Sequence, residues 1–185
     1  NVLGSRDGYE PPRAPQEGNL RPVPDMHDRR NDQAENDIAD HVEPGSPAAA
    51  ALGQMKRTEP SFEVGPFLSG AKQAYEMILM AFEHGDISQV RDFLAPEVAN
   101  AFDGVIADRN ARQLRTEASY LGTRETTLAG AQFDQSTGLA EISVRFVSEL
   151  MLAVYDAQGE LVEGDPKAAR KQRDTWTFAR QMGQD

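Results

Sequence analysis

Between residues 140 and 155 the apolar side chains fall on every second position. Ala140, Ile142, Val144, Phe146, Leu150, Leu152 and Val154 share one parity, while Glu141, Ser143, Arg145 and Glu149 take the other. Successive side chains of a strand point to opposite faces, so this spacing predicts a long, half-buried β-strand. Ser148 interrupts the apolar parity, which suits a bend or bulge. On the N-terminal side, residues 126–134 read as a partner strand with Ala129, Ala131 and Phe133 on one face, and residues 134–138 read as the connecting turn. Residues 117–121 read as a shorter strand or an irregular connection. Residues 156–159 form the next turn signal and lead to a short strand at 160–163. Gly164, Asp165 and Pro166 are read as a second break. A last strand then carries Trp176 and Phe178 on one face and Thr175 and Thr177 on the other.

The strands are preceded by helical periodicity. From Phe67 the apolar residues Leu68, Ala71, Ala74, Tyr75, Ile78, Leu79 and Phe82 recur every three to four positions, which predicts an amphipathic helix that starts near Ser61 and stops at Gly85. Asp86 suits the cap of a short helix over 87–93. Pro96 suits the first turn of another over 96–107, with Val98, Phe102, Val105 and Ile106 as its buried candidates. Helices followed by antiparallel strands predict an α+β fold, with N-terminal helices packed on a strongly curved antiparallel sheet.

Residues 1–60 have a different chemistry. They hold eight of the eleven prolines, charges of both signs and almost no aromatic side chains. Such a stretch buries too little apolar area to offset chain entropy, so it reads as a disordered linker or as an arm that orders on a partner. The alanine run 48–51 is a helical fragment too short to stand alone. The folded domain is expected over 61–185. The chain begins at Asn1 rather than methionine, and reads as a fragment whose anchor or targeting segment lies upstream. No stretch is long and apolar enough for a membrane span.

Composition narrows the chemistry. The absence of cysteine removes disulfides, thiol catalysis and Cys-based zinc sites. A net charge of -11 argues against a nucleic-acid partner, because phosphate contacts need a basic surface. The three histidines have no metal-ligand spacing, and His84 lies at a helix end. Phosphate-cradling glycine loops, dinucleotide fingerprints and nucleophile elbows are missing from the sequence. No cofactor and no enzymatic activity are expected.

Two groups of residues remain as candidate sites. Lys56, Arg57, Phe62, Phe67, Leu68 and Lys72 lie where the tail meets the first helix. They suit a membrane or partner contact, with apolar side chains inserted beside local positive charge; Phe62 and Phe67 equally suit the closing of one end of a core. Tyr75, Phe102, Phe146, Trp176 and Phe178 suit either the lining of an apolar pocket or the filling of the core.

A set of ordered fragments points further. These are Phe67-Leu68-Ser69-Gly70-Ala71-Lys72-Gln73-Ala74-Tyr75-Glu76, Ala81-Phe82-Glu83-His84-Gly85-Asp86, Leu94-Ala95-Pro96-Glu97-Val98, Phe102 and Val144-Arg145-Phe146. Gly159-Glu160-Leu161-Val162-Glu163-Gly164-Asp165-Pro166 and Asp174-Thr175-Trp176-Thr177-Phe178-Ala179-Arg180 complete the set. Together they resemble the Tim44-like domain family, in particular its bacterial members, over residues 61–180. The resemblance implies an NTF2-like or cystatin-like cone and a non-enzymatic, membrane-associated adaptor or scaffold. It also implies a location at the bacterial inner membrane with the domain facing the cytoplasm. The partners implied are membrane lipid or an inner-membrane protein, and an Hsp70-type chaperone in protein translocation. The family pattern continues beyond residue 185, so the final strand is expected to be missing. The alternative is a ligand-binding or enzymatic member of the wider cone-shaped fold, of isomerase or dehydratase type.

Overall fold

A computed structural model describes residues 26–183, with side chains from residue 33 onward. The elements are α1 (Met26–Ala39), α2 (Pro47–Thr58), α3 (Val64–Glu83), a 3₁₀ turn at Arg91–Phe93, α4 (Pro96–Ala111), β1 (Arg115–Asp134), β2 (Leu139–Tyr155) and β3 (Leu161–Gln181). The three strands form one antiparallel sheet in the order β1-β2-β3. The fold is therefore α+β, as the order of periodicities predicts.

The strongly curved, NTF2-like or cystatin-like cone does not form. The sheet is open and uncurled: a three-stranded meander has β1 and β3 as edges and nothing to close them. The isomerase or dehydratase alternative rested on that cone and loses its basis with it. Period-two patterning specifies a half-buried sheet equally well whether the sheet is open or curled, which is why the sequence pattern did not separate the two.

The chain divides into two compact units. The first holds the described residues up to Phe67, Gly130–Ile142, and the chain from Ala179 onward. Helices α1 and α2 lie in the stretch 26–58, inside the region expected to be a linker. α2 forms because its ends are well specified. The Ser46 hydroxyl accepts the Ala49 N–H at 3.1 Å, Pro47 occupies the first turn, and Lys56 and Arg57 stand in the last. Leu52 and Met55 are fully buried, so the alanine run is the start of a packed helix. Residues 1–25, the rest of that expected linker, lie outside the described residues. The turn at 134–138 forms as expected: the Asp134 carboxylate accepts the Ser136 N–H at 2.9 Å, and Gly138 donates to the Asp134 carbonyl at 2.7 Å.

The second unit holds Leu68–Ala129 and Ser143–Phe178. α3 ends in a paired C-terminal cap. The N–H of Gly85, at φ +81°, donates to the Phe82 carbonyl at 3.0 Å, and the Asp86 N–H reaches Ala81 at 3.1 Å. Only the brief 3₁₀ turn follows, where a short helix over 87–93 was expected. α4 starts at Pro96 and extends four residues past the expected end at 107, to Ala111. Ala99 is buried, and Phe102 and Ile106 pack with it against Ile78, Ile87 and Val90. Val98 and Val105 share the opposite side of the helix and are 41% and 43% exposed, contrary to their reading as buried. On β2, every even position from Ala140 to Val154, Ser148 included, is buried across the two units.

β1 and β3 are each one strand where the sequence suggested two. At Gly164 the backbone takes φ +79°, and a Cβ there would lie 2.0 Å from the Leu152 carbonyl oxygen. Only glycine permits that approach. Further along, Ser143 on β2 meets Thr177 on β3, with their hydroxyl oxygens 2.8 Å apart. Nine positions separate Ser143 from Leu152 on β2, whereas thirteen separate Gly164 from Thr177 on β3 (152 − 143 against 177 − 164). β3 therefore carries surplus residues as a bulge and keeps pairing, where the glycine and proline signals suggested a break. Pro166 is tolerated because β3 is an edge strand, and the Lys167 N–H is taken by the Asp165 carboxylate at 2.8 Å. Proline, the bulge, Lys167, Arg170 and Lys171 together blunt this edge against further pairing.

Candidate functional site

In the first unit, the basic end of α2 meets α1 and the first residues of α3. Lys56 Nζ donates to Asp37 Oδ2 at 2.7 Å and to the Phe62 carbonyl at 3.3 Å, and stands 6.0 Å from the centre of the Phe62 ring. Asp37 Oδ2 also accepts the Val64 N–H at 2.7 Å, and its Oδ1 accepts the Gly65 N–H at 3.2 Å. A carboxylate at this position satisfies donors that the first turn of a helix leaves without intrahelical partners. Burial pushes the Asp37 carboxyl up, but the Lys56 ammonium and the two N–H groups outweigh it and hold it below the usual carboxylate range.

The structure separates the six contact candidates by exposure. Phe62 is 3% exposed and Leu68 is buried as well. The Phe62 ring lies 6.0 Å from Phe67, which is half-buried, and Lys56 is held by Asp37. Arg57 and Lys72 are exposed. Lys56, Phe62 and Phe67 thus come together within the first unit, and Leu68 and Lys72 belong to the second.

In the second unit, four of the five pocket candidates meet as packed rings. Tyr75 stacks on Phe146 with centroids 4.1 Å apart and planes 8° from parallel. Trp176 stands edge-on to Tyr75 at 4.6 Å and lies 6.1 Å from Phe146, and Phe178 lies 6.3 Å from Phe146. These are ring-to-ring contact distances, so the four side chains fill the space between themselves. Phe102 packs on Phe82 instead, at 4.7 Å.

A polar thread runs through these rings. Tyr75 Oη donates to Asp174 Oδ2 at 2.5 Å and lies 3.1 Å from Ser148 Oγ, which then donates to it. Gln172 donates to the same Asp174 oxygen at 2.9 Å. Burial, then the Asp174 carboxylate, push the Tyr75 phenol far above its ordinary value. A phenol so strongly protonated is a fixed donor, suited to holding α3 against β2 and β3.

Two groups in this unit escaped the sequence reading. Ser148 was taken for a bend, yet it sits fully buried within the apolar face of β2 as a partner of Tyr75. Glu83, at the end of α3, is 6% exposed and pairs with Arg109 at 3.4 Å. Its period matches the buried face of α3, which was the available signal. Asp37 gave no such signal, since its partners lie 19 to 28 residues away in sequence.

His84 Nε2 lies 3.4 Å from the Ala118 carbonyl, the ordinary surroundings of a helix end. Among the described residues, no group of three or more His, Cys, Asp or Glu side chains is placed to hold a metal ion. No helix among them is long and apolar enough to cross a membrane, a statement that concerns helices only.

A family model described as the Tim44-like domain matches residues 48–185, well over half of the chain. The match begins within α2, thirteen residues before the expected domain boundary at 61. Comparison with curated proteins gives no match. Among solved structures, the chain is similar to the intermembrane space region of the chloroplast protein ARC6. The identity is 10% and the TM-score 0.39, covering 60% of this chain and 82% of that one.

Proposed function

The chain belongs to the Tim44-like domain family, and from that premise we propose that it serves as an adaptor at the cytoplasmic face of a bacterial inner membrane. Tim44-like domains are non-catalytic adaptor modules. The role is positional: one surface rests on membrane lipid or an inner-membrane protein, and another engages a protein partner. An Hsp70-type chaperone in protein translocation is the partner class favoured by the family.

One observation carries the membrane part. On a chain of net charge -11, α2 ends in Lys56 and Arg57 beside the aromatic pair Phe62 and Phe67, and Arg57 is exposed. Basic groups next to aromatic rings suit the interface of an anionic bilayer. The exposed Lys72 is a second basic contact.

Flotation with vesicles of phosphatidylglycerol and phosphatidylcholine, against phosphatidylcholine alone, tests this directly. Binding to the anionic vesicles is expected, reduced severalfold in the double variant Arg57→Glu, Lys72→Glu. Equal flotation of wild type and double variant removes the basic contact, and no flotation of the wild type removes the membrane contact. Affinity capture from extract of the source cell tests the adaptor role, which a reproducible lack of specific protein partners would overturn.

A further inference from the structure

α1 is seated differently from the helices that follow it. None of its side chains from Gln33 to Ala39 is buried, and only Ala34, Asp37 and Ile38 are even half-buried. α2, in the same unit, buries Ala51, Leu52 and Met55. Apolar burial therefore contributes little to holding α1. One carboxylate contributes most: Asp37 reaches three donors on two other segments, namely Lys56 Nζ, the Val64 N–H and the Gly65 N–H. The Asp37 side chain is 22% exposed and that of Lys56 is 12% exposed, so water competes for these bonds less than at an open surface pair. An element with few buried apolar groups and one polar clasp belongs to the low-stability end of a fold, where local opening occurs without global unfolding.

We propose that α1 is a detachable strap, fastened by Asp37, which withholds the Lys56 ammonium from an anionic lipid surface. In the fastened state the Lys56 charge is neutralised within the chain. Release of α1 frees that charge beside the Phe62 ring and adds it to the exposed Arg57 on the same turn of α2. An anionic surface that pairs with Lys56 competes with Asp37, so contact and release reinforce each other. The lipid part of this inference rests on the membrane reading above; the strap itself rests only on the geometry of Asp37.

Hydrogen exchange and flotation on the full chain test the two parts separately. Asp37→Asn keeps the shape of the side chain and removes its charge. The α1 amides of this variant are expected to exchange at least about tenfold faster than those of the wild type, a change of about 1.4 kcal/mol in opening, with α2 and α3 unchanged. Lys56→Gln is expected to loosen α1 in the same way. Flotation of Asp37→Asn with phosphatidylglycerol vesicles is expected to rise severalfold above wild type, and to fall back when Lys56→Gln is added. Unchanged exchange in α1 overturns the strap. So does faster exchange spread equally over α2 and α3, since Asp37 would then belong to the unit's core. A loosened α1 with flotation equal to that of the wild type, both binding, overturns the withholding role. A loosened α1 with no flotation of either protein supports the strap and overturns the membrane reading.

Discussion

Tyr75 donates its phenol proton to Asp174 across 2.5 Å, from the centre of a cluster of aromatic rings. The bond ties α3 to β3, while Ser148 on β2 completes the set of partners. Tyr75→Phe leaves the ring stack intact and takes a partner from both Asp174 and Ser148. Removing one member of a buried set costs about 1–3 kcal/mol, so a lower midpoint in urea unfolding is expected. The pH dependence follows from the same bond. The folded phenol is held far above its ordinary value of about 10, so its contribution is complete below that pH and is lost as pH rises beyond it. The alkaline loss of stability is therefore smaller in Tyr75→Phe than in the wild type, and urea titrations at pH 8 and 11 measure the difference.

Gly164 and Gly159 have nearly the same backbone conformation, φ +79° and +81°, and different surroundings. A Cβ at Gly159 meets nothing within 4 Å, whereas one at Gly164 strikes the Leu152 carbonyl. Gly159→Ala is expected to cost only the left-handed penalty, about 1 kcal/mol. Gly164→Ala carries that penalty and forces the β2–β3 pairing apart, so its destabilisation exceeds that of Gly159→Ala. Thermal unfolding of the two variants side by side reads the gap, and equal melting temperatures would refute the close approach.

The sheet strands and their turns were legible because their signals are local. Alternation on β2 and the aspartates of the two turns report geometry within a few residues. Asp134 and Asp156 fold their carboxylates back onto N–H groups two residues on. Gly164 and Pro166 misled because they carry the same signal in a turn and in a bulged edge strand, and only the pairing of β2 with β3 decides. The pocket candidates Tyr75, Phe146, Trp176 and Phe178 were identified as a group, and their ring contacts show a filled cluster. α2 was hidden by its short alanine run and α1 by its polarity. The clasp was invisible for a related reason: Asp37, Lys56 and Val64 meet through tertiary packing, for which residue type alone gives no spacing.

Glu83 and Arg109 form a pair in which the two partners are not equivalent. Burial pushes the Glu83 carboxyl up, against a smaller opposing pull from Arg109. A carboxyl raised in the fold contributes most below its unfolded value and loses that contribution as pH rises through the folded one. Glu83→Gln removes a charge the site tolerates poorly, so at neutral pH its stability is expected within about 1 kcal/mol of wild type. Arg109 also lies over the Phe82 ring at 5.2 Å. Arg109→Ala leaves Glu83 buried without its guanidinium and strips that ring contact, for an expected loss of about 2–4 kcal/mol. Urea unfolding of both variants tests the asymmetry, which equal losses would contradict.

The strap should open with acid, and its sign is fixed by Asp37. Its carboxyl is held below the usual range, so its contribution is complete above its unfolded value and is lost as pH falls through the folded one. Facing it are the Lys56 ammonium and the N–H groups of Val64 and Gly65, none of which changes charge in acid. Docking of α1 is therefore expected to stay constant from neutral pH down to the ordinary carboxylate range and to fail below it. In Asp37→Asn the weaker docking carries no such acid step. Amide signals of α1 followed by NMR through an acid titration separate the two cases. A wild-type α1 that releases at the same pH as α2 and α3 unfold, with an identical profile in Asp37→Asn, would assign the acid sensitivity to other carboxylates of the chain.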